Sequence, residues 1–150
     1  MTYLIIAIVI LIMFSAYFSA TETAFSTYNK IKMKNEAMAG NKRAQLVLDL
    51  SEDYDRLLST ILIGNNIVNI ASTTLATIFF TELLGGATGP TASTVVMTVL
   101  VLIFGEISPK SIAKDMPESF SKATAPFLRI IFVILKPLNC IFTLWKKLLT

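Results

Sequence analysis

Ile61-Leu62-Ile63-Gly64-Asn65-Asn66-Ile67-Val68-Asn69-Ile70-Ala71-Ser72-Thr73 sets three asparagines inside an otherwise apolar run. No charged residue occurs from Leu57 to Thr81, and roughly 20 predominantly apolar residues suffice for a helix to cross the hydrocarbon core. The run therefore reads as a membrane span with its asparagines at bilayer depth. An amide without a partner in hydrocarbon costs on the order of several kcal/mol, so all three must face protein, water or an ion. At about 100° per residue, Asn65, Asn69 and Ser72 share a narrow stripe, and Asn66 and Thr73 lie beside it. Two uses stay open at this point: hydrogen bonds to a neighbouring helix, worth about 0.6 to 2 kcal/mol each, or a polar site for an ion.

Outward from this stretch, two more uncharged runs read as spans. Tyr3 to Thr21 precedes it, and Leu83 to Gly105 follows. With their polar shoulders, the three spanning helices are expected over about residues 3–25, 57–84 and 88–114. The first does not read as a cleaved signal peptide, which would have a basic start and a shorter apolar core. It ends in Phe18-Ser19-Ala20-Thr21-Glu22-Thr23-Ala24, where small and hydroxyl residues surround a carboxylate. Small residues permit close helix approach; Glu22 reads equally as a carboxylate at the water interface. The third run continues into Phe104-Gly105-Glu106-Ile107-Ser108-Pro109-Lys110-Ser111. Pro109 offers no amide hydrogen and clashes with the carbonyl of Gly105, so a kink or local unwinding is expected beside Glu106. Glu106 and Lys110, four residues apart, could alternatively form an intrahelical ion pair.

The connecting segments set the orientation. Residues 28–56 carry Lys30, Lys32, Lys34, Lys42, Arg43 and Arg56 among five acids, with Gly40-Asn41 as a break, and read as short helices at the membrane surface. The loop Gly85-Gly86-Ala87-Thr88-Gly89-Pro90 has no basic residue. An excess of Lys and Arg marks cytoplasmic segments, which puts the N-terminus outside and the C-terminus in the cytoplasm. Residues 118–150 mix bulky apolar residues with Lys122, Arg129, Lys136 and Lys146-Lys147. They read as an interfacial helix broken near Pro137, with charges snorkelling to headgroups. A fourth span would place Arg129 or Lys136 inside, at about 2.5 to 3.5 kcal/mol for a central charge. The chain's ending, Trp145-Lys146-Lys147-Leu148-Leu149-Thr150, suggests that a cytoplasmic domain follows.

Composition agrees with an all-α integral membrane protein occupying residues 1–150 as one transmembrane domain. Hydrophobic residues make up 54% of the chain, well above a soluble domain, and the mean hydropathy is +0.68. The single cysteine, Cys140, rules out an internal disulfide, and the absence of histidine removes the main residue of zinc and general-base chemistry. The net charge of +3 reads as orientation and lipid contact rather than nucleic-acid binding. No nucleophile and base pair suggests an enzyme.

Every candidate ligand left is an oxygen: Ser19 on the first span, Asn65, Asn66 and Asn69 on the second, Glu106 and loosened carbonyls on the third. One carboxylate with neutral amides, hydroxyls and carbonyls suits a hard cation such as Mg²⁺ or Na⁺ held transiently. The three motifs Phe18-Ser19-Ala20-Thr21-Glu22-Thr23-Ala24, Ile63-Gly64-Asn65-Asn66-Ile67-Val68-Asn69 and Phe104-Gly105-Glu106-Ile107-Ser108-Pro109-Lys110, in that order, resemble the transmembrane domain of the cyclin M/CorC family. The resemblance covers nearly the whole chain. It implies a dimeric, Na⁺-coupled Mg²⁺ transporter with three spans per subunit and a cytoplasmic CBS-pair module after the membrane domain. It places the cation site on Ser19, the asparagine cluster, Glu106 and the backbone just after Pro109-Lys110, at Ser111. Structural or gating roles then fall to Glu22, Gly64, Gly105, Pro109 and Lys110. Family members usually read Ser-Gly-Ser-Glu-Thr-Ala in the first motif; Ala20 and Thr21 here keep the small-then-hydroxyl pattern. The competing reading is a dimeric membrane anchor or sensor for a cytoplasmic module, with asparagines joining helices.

Overall fold

The computed structural model describes residues 1–150, all helix and connecting turns without a strand. Its elements are α1 (Thr2–Thr27), α2 (Lys30–Met38), α3 (Lys42–Ser51), α4 (Tyr54–Leu84), α5 (Gly89–Leu100), a π-helical segment (Val101–Ile107), α6 (Ser108–Asp115), α7 (Pro117–Ile134) and α8 (Lys136–Leu149). Three helical stretches are long and apolar enough to cross a membrane: Thr2–Thr27, Tyr54–Leu84 and Gly89–Asp115. The chain is an all-α, multi-pass membrane protein. Its surface is inverted relative to a soluble domain. Ile5, Ile6, Val9 and Met13 on α1, Leu62, Ile67 and Ile70 on α4, and Val95, Val99 and Phe104 on the third span are exposed, as residues facing lipid are. Inside, Ser15, Ser19, Thr21, Thr60, Ser72 and Ser93 are buried.

Local sequence sets the boundaries. Asn29, Asn41 and Asp53 each accept a backbone N–H of the helix that follows, from Lys32, from Arg43 and Ala44, and from Arg56, the usual work of an N-cap side chain. Gly85, at φ 91°, ends α4 in a conformation that side-chain-bearing residues rarely adopt. The turn there brings α5 back against α4 so closely that a Cβ on Gly89 would lie 2.5 Å from the Thr81 Cα.

The largest buried cluster lies at the end that carries the Lys- and Arg-rich α2 and α3, here called the basic end. Phe18 and Phe25 of α1, with Tyr28 just after it, meet Met33, Ala44, Val47 and Leu50 of the short helices, Leu57 and Ile61 of α4, and Ala125 and Leu128 of α7. On α3, Ala44, Val47 and Leu50 are buried, because the helix packs chiefly against α2 and α7. The Gly-rich turn marks the opposite, or loop, end.

The last two helices form a V rather than a flat strip. α7 starts beside Asn29, whose backbone N–H donates to Glu118. It climbs α1, taking a bond from the Tyr17 hydroxyl at the Thr124 carbonyl and setting Phe127 edge-to-face with Tyr17 and tilted against Phe14. At Leu135, just before Lys136-Pro137, the axis bends by 68°. α8 then returns along α4, through Asn139 Nδ2 donating to Thr60 Oγ1 and Lys146 lying 3.7 Å from Asp55. Thr60 is six residues into α4, so Asn139 stands about 9 Å along that helix at 1.5 Å per residue, and the apex at Leu135 reaches further, to the level of Gly64, Ile67 and Val68. The reason is chemical: Asn139 is a buried amide, and the Thr60 hydroxyl gives it a partner.

Candidate cation site

α1 carries Ser15, Ser19, Glu22 and Ser26 at intervals of four, three and four, which places them on one stripe of a helix. Ser15 is where the three spans meet. Its hydroxyl donates to Asn65 Oδ1 of α4 at 3.1 Å. From the third span, Gly105 presses so close that a Cβ there would stand 2.9 Å from Ser15 Oγ. Only glycine lets that backbone approach. Gly64, one residue before Asn65, makes the matching contact with Phe18, whose ring carbon Cζ would be 2.5 Å from an added Cβ. Both glycines therefore set the distances between helices.

The disturbance expected before Pro109 is a π-helical segment, Val101–Ile107, ended by Ser108 N–H donating to the Ile103 carbonyl five residues back. Pro109 has no N–H to offer Gly105, and widening the turn lets the chain enter α6 without that bond. Such π segments are frequent at functional sites. It gives Glu106, half-buried, a position next to the residue that leans on Ser15. Glu106 has no ion-pair partner. Lys110 pairs instead with Glu22 of α1 at 3.8 Å, so the intrahelical Glu106–Lys110 pair is not formed.

Around this node, two buried side-chain oxygens lack any hydrogen-bond partner: Ser19 Oγ and Asn69 Oδ1. α1 and α4 run antiparallel, with Ser15 opposite Asn65, so Ser19 lies toward the basic end and Asn69 toward the loop end. They flank the Ser15–Asn65 bond from its two sides, roughly 12 Å apart along the axis by helical rise. The Asn69 carbonyl accepts the hydroxyls of both Ser72 and Thr73 at 2.9 Å, which anchors that turn. Asn65 is at the junction through Ser15, Glu106 follows the glycine that presses on Ser15, and Ser19 and Asn69 stand one turn away from it on opposite sides. Asn66 and Ser111 are exposed and are not brought to it. Asn66 falls about 100° around α4 from Asn65, and Ser111 faces out from α6.

Sequence reading missed Ser15. The signal was present, four residues before Ser19 and seven before Glu22, but a serine in an apolar run gains meaning only from what faces it. No group of three or more carboxylate, histidine or cysteine side chains lies together, so the donors available are hydroxyl, amide, carbonyl and one carboxylate. Such a set accommodates a hard cation with oxygen ligands.

Comparison with known proteins places these motifs. The family model described as the cyclin M transmembrane N-terminal domain matches residues 6–150. The UPF0053 inner membrane protein YfjD of Escherichia coli is 40% identical over 124 residues, covering 83% of this chain and 29% of that protein. A UPF0053 protein of Haemophilus influenzae is 36% identical over 144 residues, 96% of this chain and 34% of that protein. The polyamine export protein of the same organism is 31% identical over 150 residues, 92% of this chain and 35% of that protein. The chain therefore spans about a third or less of the length of these relatives. With the match running over almost its entire length, the chain belongs to the family of cyclin M transmembrane N-terminal domains.

Proposed function

We propose that this domain moves a cation across the membrane, with Mg²⁺ as cargo, exported in exchange for Na⁺. The observation that carries the reading is the pair of buried oxygens without partners, Ser19 Oγ and Asn69 Oδ1, on either side of the Ser15–Asn65 bond. A buried polar group without a partner is costly; too far apart to hold one ion together, the two oxygens fit successive resting places of an ion along a path on either side of the Ser15–Asn65 bond. Asn65 Oδ1 keeps a second lone pair for an ion while it accepts from Ser15, and Glu106 supplies the charge. Mg²⁺ is favoured because every donor is a hard oxygen and one carboxylate holds the ion loosely enough to let it go. The N-terminus then lies outside and the C-terminus in the cytoplasm of a cell membrane. The working unit is a homodimer with a CBS-pair module after α8.

The test is flux. Purified protein in liposomes holding a Mg²⁺-sensitive dye responds to external Mg²⁺ on this reading, and a Na⁺ gradient changes the rate. Silence under both gradients leaves the anchor or sensor reading. The relative named as a polyamine export protein supports a second cargo, a linear polyamine. Amines are also met by carboxylate, amide and hydroxyl oxygens, so spermidine belongs in the same assay. Spermidine flux without Mg²⁺ flux would reassign the cargo.

A further inference from the structure

The α1 stripe that starts at Ser15 runs on to the basic end, along the seam between α4 and the third span. On one side of the seam Ala20 and Ala24 pack on Ala113 of α6; on the other, Phe18 and Phe25 pack with Leu57 and Ile61 of α4. Burial falls off along the stripe. Ser15 and Ser19 are fully buried, the Glu22 side chain is 43% exposed, and Ser26 is open. At that change both walls cross the seam. Tyr54 of α4 donates its hydroxyl to Ser26 Oγ at 2.9 Å, and Lys110 of α6 brings its ammonium to 3.8 Å from Glu22.

Resting on the transport reading above, we propose that Glu22 and Lys110 are the gate at the basic end of the cation path. Lys110 acts as a tethered ammonium on the first carboxylate that a cation from that side meets below Ser19. The pair suits the role by its weakness. Two half-exposed charges at this separation are held loosely, so thermal motion opens the contact. A divalent cation at the mouth also competes for Glu22 with twice the charge of the lysine. A mere tether between α1 and α6 would affect stability without controlling access to Ser19.

Access is therefore the measurement. In full-length protein carrying Cys140→Ser and Ser19→Cys, reconstituted in liposomes, a charged thiol reagent is added from the side of α2 and α3. With Glu22 and Lys110 intact, modification is slow. Glu22→Gln and Lys110→Met each speed it at least several-fold, Lys110→Arg leaves it slow, and the double reversal Glu22→Lys with Lys110→Glu slows it again. Unchanged rates in the two single variants overturn the gate, as does a double reversal as fast as they are. Should Lys110→Met fail to fold, Glu22→Gln and the double reversal still decide. Absence of Mg²⁺ flux in the unmodified protein sinks the transport reading alone, because the thiol rates are read without transport.

Discussion

Ser15 holds the Asn65 oxygen and receives the backbone of Gly105, so the chemistry of the node turns on single atoms. Glu106→Gln keeps the shape and removes the charge. Isothermal titration of Mg²⁺ into this variant, at an unchanged melting profile, is expected to show binding lost; unchanged affinity removes Glu106 from the site. Asn69→Ala takes away one neutral ligand that water can replace, so binding weakens less than in Glu106→Gln. Outside the membrane, Glu118 gives a pH signature. Its own backbone N–H and that of Asn29 hold its carboxyl below the ordinary glutamate range. A lowered folded-state pKa means that its stabilising contribution is complete at neutral pH and is lost as pH falls through and below the usual glutamate value. Hydrogen exchange at the Asn29 amide, protected at pH 7, should therefore speed up in acid relative to other α1–α2 amides, and Glu118→Gln should abolish that difference.

Among the elements, the π segment has the sharpest consequence. It closes a turn over five residues rather than four, so removing one residue restores the α-helical hydrogen-bond pattern and closes the widened turn that holds Glu106. Deleting the exposed Ile103 is expected to keep helical circular dichroism while cation binding is lost; retained binding would show that the bulge does not aim Glu106. Close approach between α1 and α4 is tested at Gly64. Phe18 is buried and its ring occupies the place of a Cβ. Gly64→Val should therefore cost about 1 to 3 kcal/mol of overpacking, seen as a lower apparent melting temperature.

For the whole molecule, the V of α7 and α8 ties the end of the chain to the helix that bears the asparagines. Asn139→Leu removes the bond to Thr60 Oγ1, whose hydroxyl still donates to the Arg56 carbonyl, a loss of about 0.5 to 1.5 kcal/mol. Limited proteolysis should then cut within α8 sooner, with the three long helices still protected; equal cutting rates would show that α8 docks by other means. Cysteine labelling from the two sides of the membrane tests the topology. A residue near Thr150 reached only from outside would reverse it.

Sequence alone determined that the chain is all helix with three spans, because charge-free runs of sufficient length have no other stable form in lipid. The Gly40-Asn41 break and the Gly-rich loop from Gly85 set ends of elements, since those signals act within a few residues of backbone. The proline in the first turn of α6 announced a disturbed helix for the same local reason. Tertiary structure decided the rest. Ser15 became a junction, Asn66 and Ser111 turned outward, and Lys110 paired with Glu22 rather than Glu106. The last two helices folded into a V held by Asn139 and Thr60. These outcomes depend on which faces meet between elements far apart in the chain, and helical periodicity fixes a residue's angle on its own helix but not the neighbour that the angle will face.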